Sequence, residues 1–142
     1  DYITTCTDIH GVRSRYLAQS LSELGAHCSR PDGAFYVTAN FDAWHSELKE
    51  RGVLNSLQLA NYLLENHEIA TLPGSAFGVE DSELSLRLSS SYMDFESETD
   101  SARLLDAWNR HATDELFMAP EIHPNFNNAI AAFATFVEDL SE

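Results

Sequence analysis

The sequence predicts an α/β fold, a two-layer sandwich in which a small sheet of about three strands carries helices on one face. Three observations lead there. Residues 84–89, LSLRLS, alternate strictly between apolar and polar. Residues 33–41, GAFYVTANF, are rich in aromatic and β-branched residues. Apolar residues recur at helical spacing near both ends of the chain. Successive side chains of a strand point to opposite faces, so Leu84, Leu86 and Leu88 share one face, and Ser85, Arg87 and Ser89 the other. The leucine face requires a core. The serine face carries a single guanidinium in a chain with few cations.

The elements follow in order. Ile9, Val12, Tyr16, Leu17, Leu21 and Leu24 form the stripe of a helix over about 9–24, closed by Gly25. A strand over 33–41 follows the turn residues Pro31, Asp32 and Gly33. Residues 42–53 are charged and read as a loop with a helical turn. Asn55 with Gln58 makes a capping-box pattern for a helix over 57–66. A second strand is expected over 68–72, ended by Pro73-Gly74, and a third over 83–90. A helix over 100–111 turns Leu104, Leu105 and Trp108 inward, and 112–124 is irregular. A final helix over about 125–140 carries Phe126, Ile130, Phe133, Val137 and Leu140. The third strand has no proline or bulge signal and reads as internal to the sheet. The Arg87 face is then left bare, which points to a missing partner.

With 142 residues and 44% hydrophobic content, the chain is one domain long, 1–142, with enough apolar residues for a core. It opens on Asp1-Tyr2-Ile3 and runs directly into a helical pattern, which reads as a segment of a longer protein. The formal charge of −15 sets eight scattered basic residues against twenty-three acids, excluding nucleic-acid phosphates and anionic membrane surfaces as partners. No long apolar run or signal peptide is present. Cys6 and Cys28 fit no metal or redox spacing and read as two free thiols in a reducing cytoplasm.

Other chemistry finds little support. The six histidines offer no ligand spacing for a metal site. The carboxylates are too many for any pair to stand out as an acid and its base. Ser46 and Lys49 match a Ser-x-x-Lys spacing, but within a charged segment that lacks the other parts of an acyl-transfer site. The segment 72–78, LPGSAFG, lacks the lysine and following helix of a phosphate loop and reads as a rigid turn. Arg87 keeps two readings: a surface arginine beside one of many carboxylates, or a bidentate fork for a carboxylate ligand.

Residues 31–37, PDGAFYV, resemble the P-x-G-A-F-Y segment of class I/II aminotransferases, the fold type I enzymes dependent on pyridoxal 5′-phosphate. Residues 59–65 are similar to the helix that follows it in that family. The segment 69–78, IATLPGSAFG, with Leu86-Arg87-Leu88-Ser89, resembles the paired strands of the family's C-terminal small domain. The likeness runs in order over roughly residues 12–110, and the tail from Ala112 departs from it.

The resemblance implies a small domain whose Arg87 binds the substrate α-carboxylate, with Pro73, Gly74, Ala76 and Phe77 shaping the adjoining cleft wall. It implies that the cofactor's lysine, and most groups holding pyridoxal 5′-phosphate, belong to a large domain upstream, because Lys49 stands in the wrong order. No catalytic residue is then expected here, and the 142 residues alone should be inactive. The implied partners are that large domain, amino acid and 2-oxo acid substrates, and a second copy in a homodimer formed mainly through large domains. Two rival readings remain: an aminotransferase-like sensing domain of a transcription regulator, and a binding module without catalysis.

Overall fold

A computed structural model describes residues 1–29, 36–91 and 93–142. Helix α1, Tyr2–Leu24, begins seven residues earlier than its stripe suggests, because Asp1 caps it by accepting from the Ile3 N–H. It ends at Gly25, whose φ of 110° is open to glycine at little cost. Strand β1, His27–Cys28, is too short to leave a pattern in the sequence. Strand β2, Tyr36–Asn40, ends one residue before the expected 33–41 strand does; residues 33–35 lie outside the described residues.

The charged stretch after β2 folds as a 3₁₀ turn, Asp42–Trp44, and a short helix α2, His45–Glu50. Helix α3, Ser56–His67, starts at Asn55, whose side chain accepts from the Gln58 N–H. The Gln58 carbonyl oxygen accepts in return from the Leu54 N–H, one residue before the cap.

The strand expected over 68–72 shrinks to β3, Leu72–Pro73. Its first half is consumed in ending α3: Glu68 takes a left-handed φ of 57°, and the Ile69 N–H donates back to Leu63. Strand β4, Ser85–Ser89, is followed by α4, Glu98–Arg110, α5, Asp114–Phe117, and α6, Pro124–Leu140. Thus α5 interrupts the stretch expected to be irregular.

The sheet therefore has four strands among the described residues, not about three. It is antiparallel throughout, in the order β1-β2-β4-β3. Strand β4 is internal, as its uninterrupted alternation predicts. Pro73 sits in β3 at the edge, where no ladder N–H is missed.

Val37, Ala39, Leu86 and Leu88 are buried, while Tyr36 and Ser89 on the opposite face are exposed. Helices α1 and α3 contact the strands, and α6 packs against both helices. Phe41, just past β2, meets Phe133 and Phe136 of α6 with ring centroids 6.1 and 5.9 Å apart. Each such buried ring contributes about 1.5–3 kcal/mol by leaving water.

Candidate functional site

Arg87 lies in the middle of β4, paired in register with Thr38 of β2 on one side and Leu72 of β3 on the other. Flanking strands fix its backbone on both sides, and strand alternation aims its side chain away from the buried leucines. Its guanidinium carbon stands 3.7 Å from the centroid of the Tyr36 ring and 4.1 Å from that of Phe77. Tyr36 pairs with Ser89, two residues along, so its ring reaches Arg87 on the diagonal. Among the described residues the guanidinium has no carboxylate partner and no hydrogen bond. It is also the only Lys or Arg among the described strand residues. Beside it opens a depression of about 170 Å³ lined by Tyr36, Ala70, Thr71, Leu72, Arg87 and Ser89.

Phe77 arrives from a separate element. After Pro73 the chain turns through a 3₁₀ segment, Gly74–Phe77, that folds onto the start of β4. Gly74 is buried against Ser85: a Cβ placed there would sit 1.9 Å from Ser85 Oγ and 3.1 Å from the Ser85 carbonyl oxygen. Close approach, not backbone conformation, is what requires glycine here. The Ser75 N–H donates to Ser56 Oγ at 3.2 Å, tying the turn to the start of α3. Of the residues expected to form a wall, Phe77 touches Arg87, Gly74 covers the start of β4, and Pro73 pairs with Leu86. Ala76 is exposed on the turn.

Two features escape sequence reasoning. Tyr36 is one, because its register against Arg87 depends on strand pairing. Arg13 is the other. It is fully buried in α1, and its Nη2 donates to the carbonyls of Ser90 (2.6 Å) and Met93, just beyond β4. Ser14 Oγ and Ser90 Oγ add a hydrogen bond of 2.8 Å. Burial lowers the Arg13 pKa to about 10, against the pull of Asp94, so the side chain stays cationic at neutral pH. Asp94, itself buried with a φ of 65°, accepts from the N–H groups of Asn125 and Phe126 at the start of α6. The strand bearing Arg87 is thus tied at its exit to α1 and, through Asp94, to α6. A signal existed: position 13 falls between Ile9 and Leu17 on the apolar stripe, where a charge demands partners.

No group of three or more His, Cys, Asp or Glu among the described residues is arranged to hold a metal. Cys6 and Cys28 are free thiols. Lys49 is exposed on α2 next to Arg51, whose guanidinium donates to the Asp139 carbonyl of α6. That places α2 with the helices, on the other side of the sheet from Arg87. Among the described residues neither an amine nor a second cation stands beside Arg87, so none of them there fits an aldehyde cofactor or its phosphate. No helix among the described residues is long and apolar enough to cross a membrane.

The family model for aminotransferase class I and II matches residues 2–100. The chain is 40% identical over 72 residues to the aspartate/prephenate aminotransferase of Nitrosomonas europaea, covering 48% of this chain and 18% of that protein. It is 32% identical over 82 residues to the aspartate aminotransferase of Pinus pinaster, covering 56% and 17%. In fold it is similar to the aromatic aminotransferase of Pyrococcus horikoshii OT3, with a TM-score of 0.57 and 19% identity over 93% of this chain and 25% of that one. That coverage carries the likeness of fold beyond residue 100, where the family match ends. The chain spans less than a fifth of the length of the curated relatives it matches.

Proposed function

The chain belongs to the class I and II aminotransferase family, and we propose that it works as the C-terminal small domain of a longer enzyme of that kind. The parent enzyme moves an amino group from an amino acid to a 2-oxo acid. Arg87 receives the α-carboxylate common to both. The observation that carries this reading is the guanidinium itself: set mid-strand, in contact with two rings, and without a carboxylate partner among the described residues of a chain whose formal charge is −15.

The family depends on pyridoxal 5′-phosphate, which supplies the electron sink for amino transfer. The described residues of this chain do not fit that group, since its one lysine, Lys49, is on the helix side of the sheet. Cofactor binding and proton transfer therefore fall to a large domain of the same polypeptide, which also forms the contacts of a homodimer. The work of this domain is binding and orientation. A planar fork on a strand held from both sides fixes a carboxylate in two dimensions, which sets the angle at which the Cα–H bond is presented. The turn at Pro73, Gly74, Ala76 and Phe77 forms the adjoining wall.

The test is Arg87→Ala in the full-length protein. kcat/KM for its best amino acid should fall by an amount equivalent to about 2–4 kcal/mol, the scale of losing a desolvated charge-assisted pair. Unchanged kcat/KM would remove Arg87 from substrate binding and with it this reading.

A further inference from the structure

We propose that Tyr36 and Phe77 are positioning residues that hold the Arg87 guanidinium for its carboxylate, an inference that rests on Arg87 being the carboxylate anchor. A strand fixes the Cα–Cβ direction of an arginine but leaves several side-chain torsions free. Without a fixed partner, the fork would sample many rotamers and lose entropy on capturing a ligand. Most buried arginines solve this with hydrogen bonds or a carboxylate. Arg87 has neither among the described residues.

What it has is two rings, with centroids 3.7 and 4.1 Å from its central carbon. Those separations are van der Waals contact for planar groups. They are shorter than the 5.1 and 5.4 Å between Arg13 and its rings in the core. Aromatic rings attract a guanidinium through its plane and make no claim on its in-plane N–H donors. A carboxylate needs those donors in a bidentate approach. Aromatic contact can therefore hold the fork still while leaving its binding edge unspent, which an acidic partner cannot do.

The two rings come from different elements. Tyr36 stands on the neighbouring strand, and Phe77 on the turn seated by Gly74 over Ser85 and by Ser75 on Ser56. The posture of the fork depends on that turn as well as on the sheet. Both rings are substantially exposed, 41% for Tyr36 and 45% for Phe77. That exposure is more than core packing alone calls for, and it leaves either ring replaceable without emptying the core.

The test measures the dissociation constant of the best-bound standard amino acid on the full-length protein. Phe77→Leu and Tyr36→Leu should each raise it by roughly three- to tenfold, the range of a partly desolvated cation–ring contact. Tyr36→Phe, which keeps the ring and drops the hydroxyl, should restore it. In an Arg87→Ala background the same leucine variants should have no further effect, because they act only through the guanidinium. Ring variants that bind normally beside a weakened Arg87→Ala would overturn the positioning role and leave the carboxylate anchor standing. Leucine variants that weaken binding equally with and without Arg87 would also overturn it, since the rings would then be touching ligand themselves. An Arg87→Ala protein that binds as well as the unaltered one would defeat the anchor reading first, and this inference with it.

Discussion

Gly74 rests on Ser85 so closely that a methyl group on one would occupy the hydroxyl of the other, 1.9 Å away. The contact seats the turn that carries Phe77 to Arg87. Ser85 Oγ is itself buried without a hydrogen-bond partner. Gly74→Ala should therefore cost about 1–3 kcal/mol of stability, the range for overpacking a closed site. Ser85→Ala alone should be close to neutral, since it deletes an unsatisfied hydroxyl. Combined, the two should recover part of the loss, because the Ser85 carbonyl oxygen still stands at 3.1 Å. Denaturant unfolding of the three variants checks this, and full additivity would contradict it.

Arg13 is expected to matter for stability more than any exposed charge in the chain. Arg13→Met fills much of the same space but removes the Nη2 hydrogen bonds to the carbonyls of Ser90 and Met93. The loss should be roughly 2–4 kcal/mol, for two charge-assisted hydrogen bonds removed from a buried guanidinium. Arg110→Met, which breaks only the exposed pair with Asp106, should stay within about 0.5 kcal/mol. Equal thermal midpoints for the two variants would contradict the role given to Arg13.

His123 gives the fold a pH dependence. Its Nδ1 donates to the Phe117 carbonyl at 2.9 Å, while Nε2 is buried without a partner. Burial first, then the nearby Arg13 guanidinium, push the pKa down from 6.5 to about 4, with Arg103 adding to the repulsion. The Phe117 hydrogen bond and the Asp94 charge oppose the shift. The folded state thus refuses a proton that the unfolded chain accepts, and stability falls as pH drops from about 6.5 to about 4. Over that window the effect amounts to about 3 kcal/mol. His123→Asn keeps a donor for the Phe117 carbonyl and should flatten that part of the profile; an unchanged slope would place the titration elsewhere.

How far the sequence reveals this arrangement depends on what each feature responds to. The alternation of 84–89 is legible because one face of β4 meets the core and the other does not, and the two-residue period has no other cause. The long helices are legible from their stripes, and α3 from its Asn55 and Gln58 cap. Strand β1 is not, and β3 meets the expected strand only at Leu72, because two residues pair only when β2 and β4 offer them an edge. Glu68 misleads because apolar residues follow it, yet its left-handed backbone belongs to the end of α3. At the site, Arg87 stands out as a lone cation on an apolar-polar alternation, whereas Tyr36 becomes its neighbour only through register. That register is a property of the folded sheet.

The role of Arg87 is decided by what its guanidinium holds. The most direct measurement is a crystal structure of the full-length protein with a bound amino acid or 2-oxo acid. Two N–H donors of the Arg87 guanidinium should lie about 2.7–2.9 Å from the two oxygens of the ligand α-carboxylate, with the Tyr36 and Phe77 rings still against the guanidinium. A ligand carboxylate held by another cation, with Arg87 turned to solvent or paired to a protein carboxylate, would contradict it.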